Sequence, residues 1–304
     1  MELRQLRHFI SVARLGNLHR AAEELHLSQQ ALSASLARLE QDLGAQLFVR
    51  GRHGAELSPF GEKLLPRALS IVGEARIARA EIEGLRDPTH GELRVGVGTF
   101  FVHHVFPAAL LQFSVEFPRV DLTVIEATST DLYEALLRGE LDFVISTPAS
   151  GVEVPSQFES ELLFETRDAI FTRTGHPLAS SASVGLRELG VFPWIVSARF
   201  GDYRARLEAA FRAEGLEPPA RVIRTDSVPL MGHLLQHSDT IALLGSNPFR
   251  DLPLAALGEL RDFELPELAG TYRGVLAWRR AALLPAAAAL MQRLRDTIRA
   301  RLAA

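Results

Sequence analysis

The 304-residue chain contains no cysteine. A disulfide framework, a thiolate nucleophile and a cysteine metal site are thereby excluded. Lysine is almost as scarce, with Lys63 alone, and no GxxxxGK(S/T) phosphate loop exists. There is no HExxH pair and no GxSxG elbow. Gly96-Val97-Gly98 follows a strand pattern, but Phe101 stands where a dinucleotide fingerprint needs its third glycine. His103 and His104 are adjacent, so on a helix they point about 100° apart and do not form the i, i+4 metal pair; they read as structural or surface residues. No catalytic residue, metal ligand or cofactor is expected. Long hydrophobic runs are missing too. The longest, Ala281 to Met291, is too short to span a bilayer and contains Pro285. MELRQLRHFISVARL lacks the continuous apolar core of a signal peptide. The expectation is a soluble cytoplasmic protein that does not engage a membrane.

What is present begins with charge. The net charge of −4 argues against a chain that binds polyanions over its whole surface. Residues 1–58 nevertheless hold seven Arg against six Asp and Glu, a net of +1 that leaves −5 for the rest. Within this part, RAAEELHLSQQALSASLARLE (residues 20–40) breaks its helical pattern at Leu27 and restarts behind Ser28. Leu32, Leu36, Leu39 and Leu43 then repeat at spacings of four, three and four, a helical stripe. Ser28 sits where an N-cap accepts from the first free N–H groups. Two short helices joined by a tight turn suit a helix-turn-helix, although a plain helical hairpin would share the pattern. The opposite face favours the first reading. Gln30, Ala34, Ala37 and Gln41, flanked by Gln29, Ser33 and Arg38, are small and amide-rich, which suits close approach to base edges. Arg50, Arg52 and His53 follow, placed to meet phosphates.

Ser58-Pro59 marks a new helix, with Ser as cap and Pro at the first position. Leu64, Ala68, Ile71, Ala75, Ala78, Ile82 and Leu85 fall at alternating spacings of four and three, the seam of a coiled coil. Arg67, Glu74, Arg76, Arg79, Glu81, Glu83 and Arg86 cover the other faces, which favours pairing with a second helix over burial in a core. Pro66 interrupts the ladder and tends to kink it. Residues 87–91 read as a linker. Beyond them ELRVGVG, VDLTVIE and LDFVIS read as strands, with helices near 104–117 and 131–138, a β-α-β-α-β order that implies a parallel sheet. A second set has strands near 160–165, 168–173, 193–197, 221–225 and 240–244 and helices near 202–214 and 227–237. TYRGVLAWRR and a helix from about Pro285 to Leu302 close the chain. The fold class is α/β, behind an all-α head.

The helix-turn-helix, LFVRGRHGAELSPFGEKLL, the long helix, LRVGVG, and FPAALLQFSVEFPRVDLTVIEATSTDLYEALLRGELDFVIS together resemble a LysR-type transcriptional regulator, over essentially the whole chain. The resemblance implies a winged helix-turn-helix over 1–58, a dimerising linker helix and hinge over 59–90, and an effector-binding domain over 91–304 of the periplasmic-binding-protein type. Its first lobe would comprise 91–162 and 267–304, its second 163–266, joined by two crossover strands. The resemblance also implies promoter DNA, RNA polymerase, a small co-inducer and a second copy of the chain as partners, in a dimer or tetramer. The chain departs from the usual pattern at Gln30, where Pro is frequent, and at His19, where Ser or Thr more often caps a helix. Ala34 and Ala37 offer only apolar contact, to thymine methyls.

Expected DNA contacts are Ser28, Gln29, Gln30, Ser33, Ala34, Ala37 and Arg38 from the reading helix, with Arg50, Arg52 and His53 from the wing. Ligands in parallel α/β sheets collect at the carboxyl ends of strands. That rule selects Thr99, Phe100, Phe101, Thr128, Ser129, Ser146 and Thr147 from one lobe and Ser197, Arg199, Phe200, Thr225 and Ser227 from the other. Helix N-termini and Arg199 suit an anion, and the phenylalanines an aromatic or apolar body, so a small carboxylate is expected. The competing readings are a stand-alone small-molecule binding protein with a helical dimerisation arm, and an enzyme that uses the cleft. The amide-rich helix and the wing arginines separate the regulator from both.

Overall fold

A computed structural model describes the chain apart from residues 52–53, 88, 149–151, 182–183, 199–202, 246–259, 264–267, 269, 281–282 and 304; of residues 50–51 and 260–263 it describes the backbone alone. The N-terminal head contains α1 (Leu3–Leu15), α2 (Leu18–Glu24) and α3 (Gln29–Leu43), then a hairpin of β1 (Phe48–Gly51) and β2 (Gly54–Leu57). Each helix start has a local cause. Asn17 caps α2 by accepting from the N–H groups of His19 and Arg20, and Ser28 caps α3 by accepting from that of Ala31. His19 is therefore inside α2 and caps nothing, because Asn17 already answers the free N–H groups. Between the two helices His26 takes a left-handed φ of 53°, which turns the chain sharply. Leu32, Leu36 and Leu39 face inward against Leu6, Phe9 and Val12 of α1 and Ala21 and Ala22 of α2. The stripe stops there. Leu43 is 41% exposed, since the left-handed Gly44 ends the helix beyond the reach of the core.

From the head runs α4 (Pro59–Arg86), started by Ser58 as cap and continuous through Pro66. Its first turns belong to the head: Ala68 is fully buried in the same core as Leu36, with Leu64 packed beside it. These two seam positions are thus taken within the chain. Further along, α4 lies on the α/β domain. A Cβ on Gly73 would come 2.1 Å from the Arg138 carbonyl oxygen, so the backbones touch there. Arg76 bonds the Gly139 carbonyl and the Asp142 carboxylate, the latter at 2.7 Å, and Arg279 pairs with Glu74. Ile71, Ala78, Ile82 and Leu85 remain exposed.

The α/β domain continues with β3 (His90–Val97), α5 (Thr99–His103), α6 (Phe106–Glu116), β4 (Arg119–Glu126), α7 (Ser129–Leu137), β5 (Phe143–Ser146) and β6 (Phe158–Arg173). After them come α8 (Leu186–Leu189), β7 (Trp194–Val196), α9 (Tyr203–Ala213), β8 (Val222–Arg224), α10 (Val228–His237), β9 (Ile241–Gly245), β10 (Leu260–Phe263), β11 (Thr271–Arg279) and α11 (Pro285–Ala303). Strands lie in the order β4-β3-β5-β11-β6-β9-β7-β8, with β10 on β6. Pairing is parallel at both ends, β4-β3-β5 and β9-β7-β8, and antiparallel in the middle, where β6 and β11 cross between two lobes. The segments expected as two strands at 160–165 and 168–173 are the single strand β6. Its side chains alternate over the first half, then Asp168 to Thr172 are buried on both faces. The pattern changes because the strand passes from one lobe into the other, not because it ends. The first lobe's core gathers Leu93, Val95, Phe113 and Phe143 under α11, which buries Ala287, Leu290, Met291 and Leu294 against them. Trp194, Leu207, Phe211 and Ile241 centre the second. Among the described residues no helix is long and apolar enough to cross a membrane.

Candidate nucleic-acid interface and ligand cleft

The leucine side of α3 is spent on the core, which decides what the other side shows. Gln29, Gln30, Ser33, Ala34, Ala37 and Arg38 are all exposed. Ser28 is exposed as well, but its hydroxyl is held 3.1 Å from the Ala31 N–H as a cap. His8 of α1, which burial and the Arg4 charge keep below the usual histidine range, bonds the Ser35 hydroxyl of α3 at 2.7 Å. That bond fixes the roll of α3 and hence the direction of its amide face. A groove of about 600 Å³ opens beside it, lined by Asn17, His19, Gln29, Val49 and Gly54. The hairpin forms its far wall, with Phe48 opposite Leu57 and Arg50 opposite Ala55. The side chain of Arg50, and Arg52 and His53 altogether, lie outside the described residues.

Between the lobes lies a cavity of about 160 Å³. Gly98, Thr99, Phe100, His103, His104, Ser129 and Thr147 line it from the first lobe, and Thr166 and Tyr272 from the crossing strands. The second lobe supplies Ser197, Tyr203, Asp226, Val228, Met231, Leu244 and Gly245. Thr99, Phe100, Ser129, Thr147 and Ser197 thus meet at one cavity. Others of the strand-end set do not reach it. Phe101 is fully buried in the first lobe's core, since one step along α5 turns it about 100° from Phe100, which stays at the cavity. Ser146 is fully buried and bonded to the Tyr133 hydroxyl, because neighbours along a strand point to opposite faces. Thr128 caps α7, Ser227 caps α10, and Thr225 accepts from the Ser227 N–H. Arg199 and Phe200 lie outside the described residues.

The polar groups of the cleft are tied into the fold. Asp226 accepts from the Ser197 hydroxyl at 2.5 Å and from the Ala198 N–H at 3.0 Å. Behind the cavity Asp168 of β6, 2% exposed, accepts from the Tyr203 hydroxyl, the Arg206 guanidinium and the Gly270 N–H. Tyr272 of β11 donates to Tyr203. Burial first, and then the neighbouring Tyr272 and Asp168, push the Tyr203 phenol far up; burial and Asp168 push Tyr272 up to about 12. Both phenols stay protonated and hold both crossing strands to α9. His103 and His104, expected as structural or surface residues, both line the cavity, because α5 starts at a strand end there; His104 is 6% exposed and its pKa falls to about 4, chiefly through burial. Tyr203, Tyr272 and Met231 were not legible either, since they come from helices and from the start of a strand rather than from strand carboxyl ends.

The lysR family of bacterial regulatory helix-turn-helix proteins matches residues 3–62, and the LysR substrate binding domain matches residues 86–299. The chain belongs to the LysR family. It is a DNA-binding transcriptional regulator whose activity a small molecule modulates. LysR-family relatives include the regulator YdcI of Escherichia coli, 31% identical over 83% of this chain and 81% of YdcI. The regulator CysB of Haemophilus influenzae is 29% identical over 75% of this chain and 70% of its own. Among solved structures, full-length OxyR from Pseudomonas aeruginosa has 24% identity and a TM-score of 0.67, covering 98% of this chain and 95% of OxyR. CbnR, a LysR family regulator, has 20% identity and a TM-score of 0.66 over 98% and 99%. These two likenesses are of fold.

Proposed function

We propose that α3 lies in the DNA major groove with Gln29, Gln30 and Ser33 at base edges, Ala34 and Ala37 against thymine methyls, and Arg38 at the groove's rim. Arg50, Arg52 and His53 of the hairpin meet phosphates. The observation that carries this reading is the exposed, amide-rich face of α3, held in a fixed roll by a buried leucine face. Two chains pair along the exposed stretch of α4 to present two heads, in a dimer or a tetramer, and act on RNA polymerase in the cytoplasm. The division of labour follows the chain: 1–58 reads DNA, 59–90 joins, and 91–304 senses, with lobes of 91–162 plus 267–304 and of 163–266. The protein catalyses nothing and needs no cofactor.

The cleft is the effector site. Its ligand is a small aromatic or apolar carboxylate, whose body packs on Phe100 and Met231 while Thr99, Ser129 and Arg199 hold its anionic end. Helix N-termini at α7 and α10 favour negative charge there. A true effector at 100 times its dissociation constant stabilises the fold by about 2.7 kcal/mol. A thermal-shift screen of small acids on the full chain, repeated on Thr99→Val and Arg199→Ala, tests this. Both variants should lose most of the shift given by an acid that raises the melting temperature of the parent. A cationic or sugar ligand that alone raises it, or an acid that both variants hold at full strength, contradicts the assignment.

A further inference from the structure

One polar group in the cleft is left unanswered by the fold. His104 closes α5 and lines the cavity, its ring 4.5 Å from that of Phe100. It is 6% exposed, and its Nδ1 is buried with no hydrogen-bond partner. Burial, with His103 and Arg301 adding to it, keeps the ring neutral at physiological pH. A neutral imidazole carries one N–H and one bare acceptor nitrogen. A buried N–H without an acceptor is the costlier of the two to leave orphaned, so the proton belongs on Nε2 and the buried Nδ1 stays bare. Nε2 then carries the N–H of a ring that lines the cavity, and no hydrogen bond within the described residues takes it up.

The carboxylate in the cavity wall, Asp226, lies in the second lobe and is already engaged by Ser197 and Ala198. Among the described residues of the cavity wall, the donors open to an anionic ligand end lie in the first lobe, at His104 and the hydroxyls of Thr99 and Ser129. We infer that His104 is a specificity-determining contact, donating from Nε2 to a carboxylate oxygen of the effector. The inference rests on the cleft being the effector site, and it sets the ligand's carboxylate at the α5 side of the cavity.

The test uses the full chain labelled with ¹⁵N-histidine, and benzoate and phenylacetate as probes, each beside its alcohol, benzyl alcohol or 2-phenylethanol. Long-range ¹H–¹⁵N spectra should show His104 protonated at Nε2 before any probe is added, and that resonance should move with the acid and not with the alcohol. His104→Gln keeps a donor and should hold the acid nearly as the parent does. His104→Phe should weaken the acid about tenfold and leave the alcohol unchanged, as loss of a charge-assisted bond requires. A free protein protonated at Nδ1 overturns the inference whatever binds. So does an acid that binds with the Nε2 signal unmoved and with His104→Phe at parental affinity; the effector reading then stands and His104 is a wall residue. If neither acid binds while Nε2 is the protonated nitrogen, the carboxylate assignment itself fails and this contact with it.

Discussion

Ser28 and Gln29 are neighbours with separate tasks, and substitution separates them. Ser28→Ala removes the cap on α3 and should cost about 1 kcal/mol of stability, read by urea unfolding. Gln29→Ala should leave unfolding unchanged but cost about 1–3 kcal/mol of operator affinity and relax one base position. A Gln29→Ala protein that keeps the parent's sequence preference would mean that α3 is docked wrongly. His104 gives a pH dependence of known sign. Its pKa is 6.5 in the unfolded chain and about 4 in the fold, so between those values the unfolded state binds the extra proton. Stability is therefore full above pH 6.5 and falls by about 3 kcal/mol as the pH drops toward 4. His8 and His176, also lowered by burial, add in the same direction. His104→Gln should flatten part of this decline in unfolding curves taken across the range; an unaltered decline would assign it to other groups. At this scale the sequence is legible where the cause is local. The Ser28 cap could be read from its neighbours. The family pattern points to position 19 for the cap of α2, whereas the ordinary capping preference of Asn17 points to the residue that does it. Whether Phe100 or Phe101, Ser146 or Thr147, faces the cleft depends on the exact start of a helix or strand, which hydroxyl spacing does not fix.

Among the elements, α4 shows most clearly what periodicity conveys and what it omits. The apolar repeat from Leu64 to Leu85 is real, but it serves two masters along its length. Leu64 and Ala68 complete the head's core, Ala75 is half-buried, and Ile71, Ala78, Ile82 and Leu85 stay open. The charged faces, expected to favour pairing with a second helix, are in part an interface within the chain: Arg76 and Glu74 dock the helix on the first lobe beside the Gly73 contact. A sequence shows which positions are apolar, not which of several neighbours will cover them. Replacing Ile71 and Ala78 together with Glu would set like charges across a shared seam and should give monomers in sedimentation, with the head's fold intact. An unchanged oligomer would move the interface elsewhere. The parallel units were readable from alternating strand and helix patterns, whereas β10 and the four-residue α8 are too short to leave a period.

For the whole molecule, the charge is modestly acidic, −4, with residues 1–58 at +1 and the rest at −5. An overall acidic balance disfavours binding of a polyanion over the whole surface and leaves recognition to a local site. The fold class and the order of head, helix and two lobes were legible because each rests on long, repeated patterns. The cleft's lining was legible only in part, since it is assembled from both lobes and both crossing strands. The account stands or falls on sequence-specific recognition by the head. The direct measurement is fluorescence anisotropy of the full chain against DNA flanking its own gene and against a shuffled duplex of equal length and composition, at several salt concentrations. Specific binding should be tighter by about 10³-fold or more, and both affinities should fall steeply with salt. Equal affinity for the two duplexes at every salt concentration would contradict it.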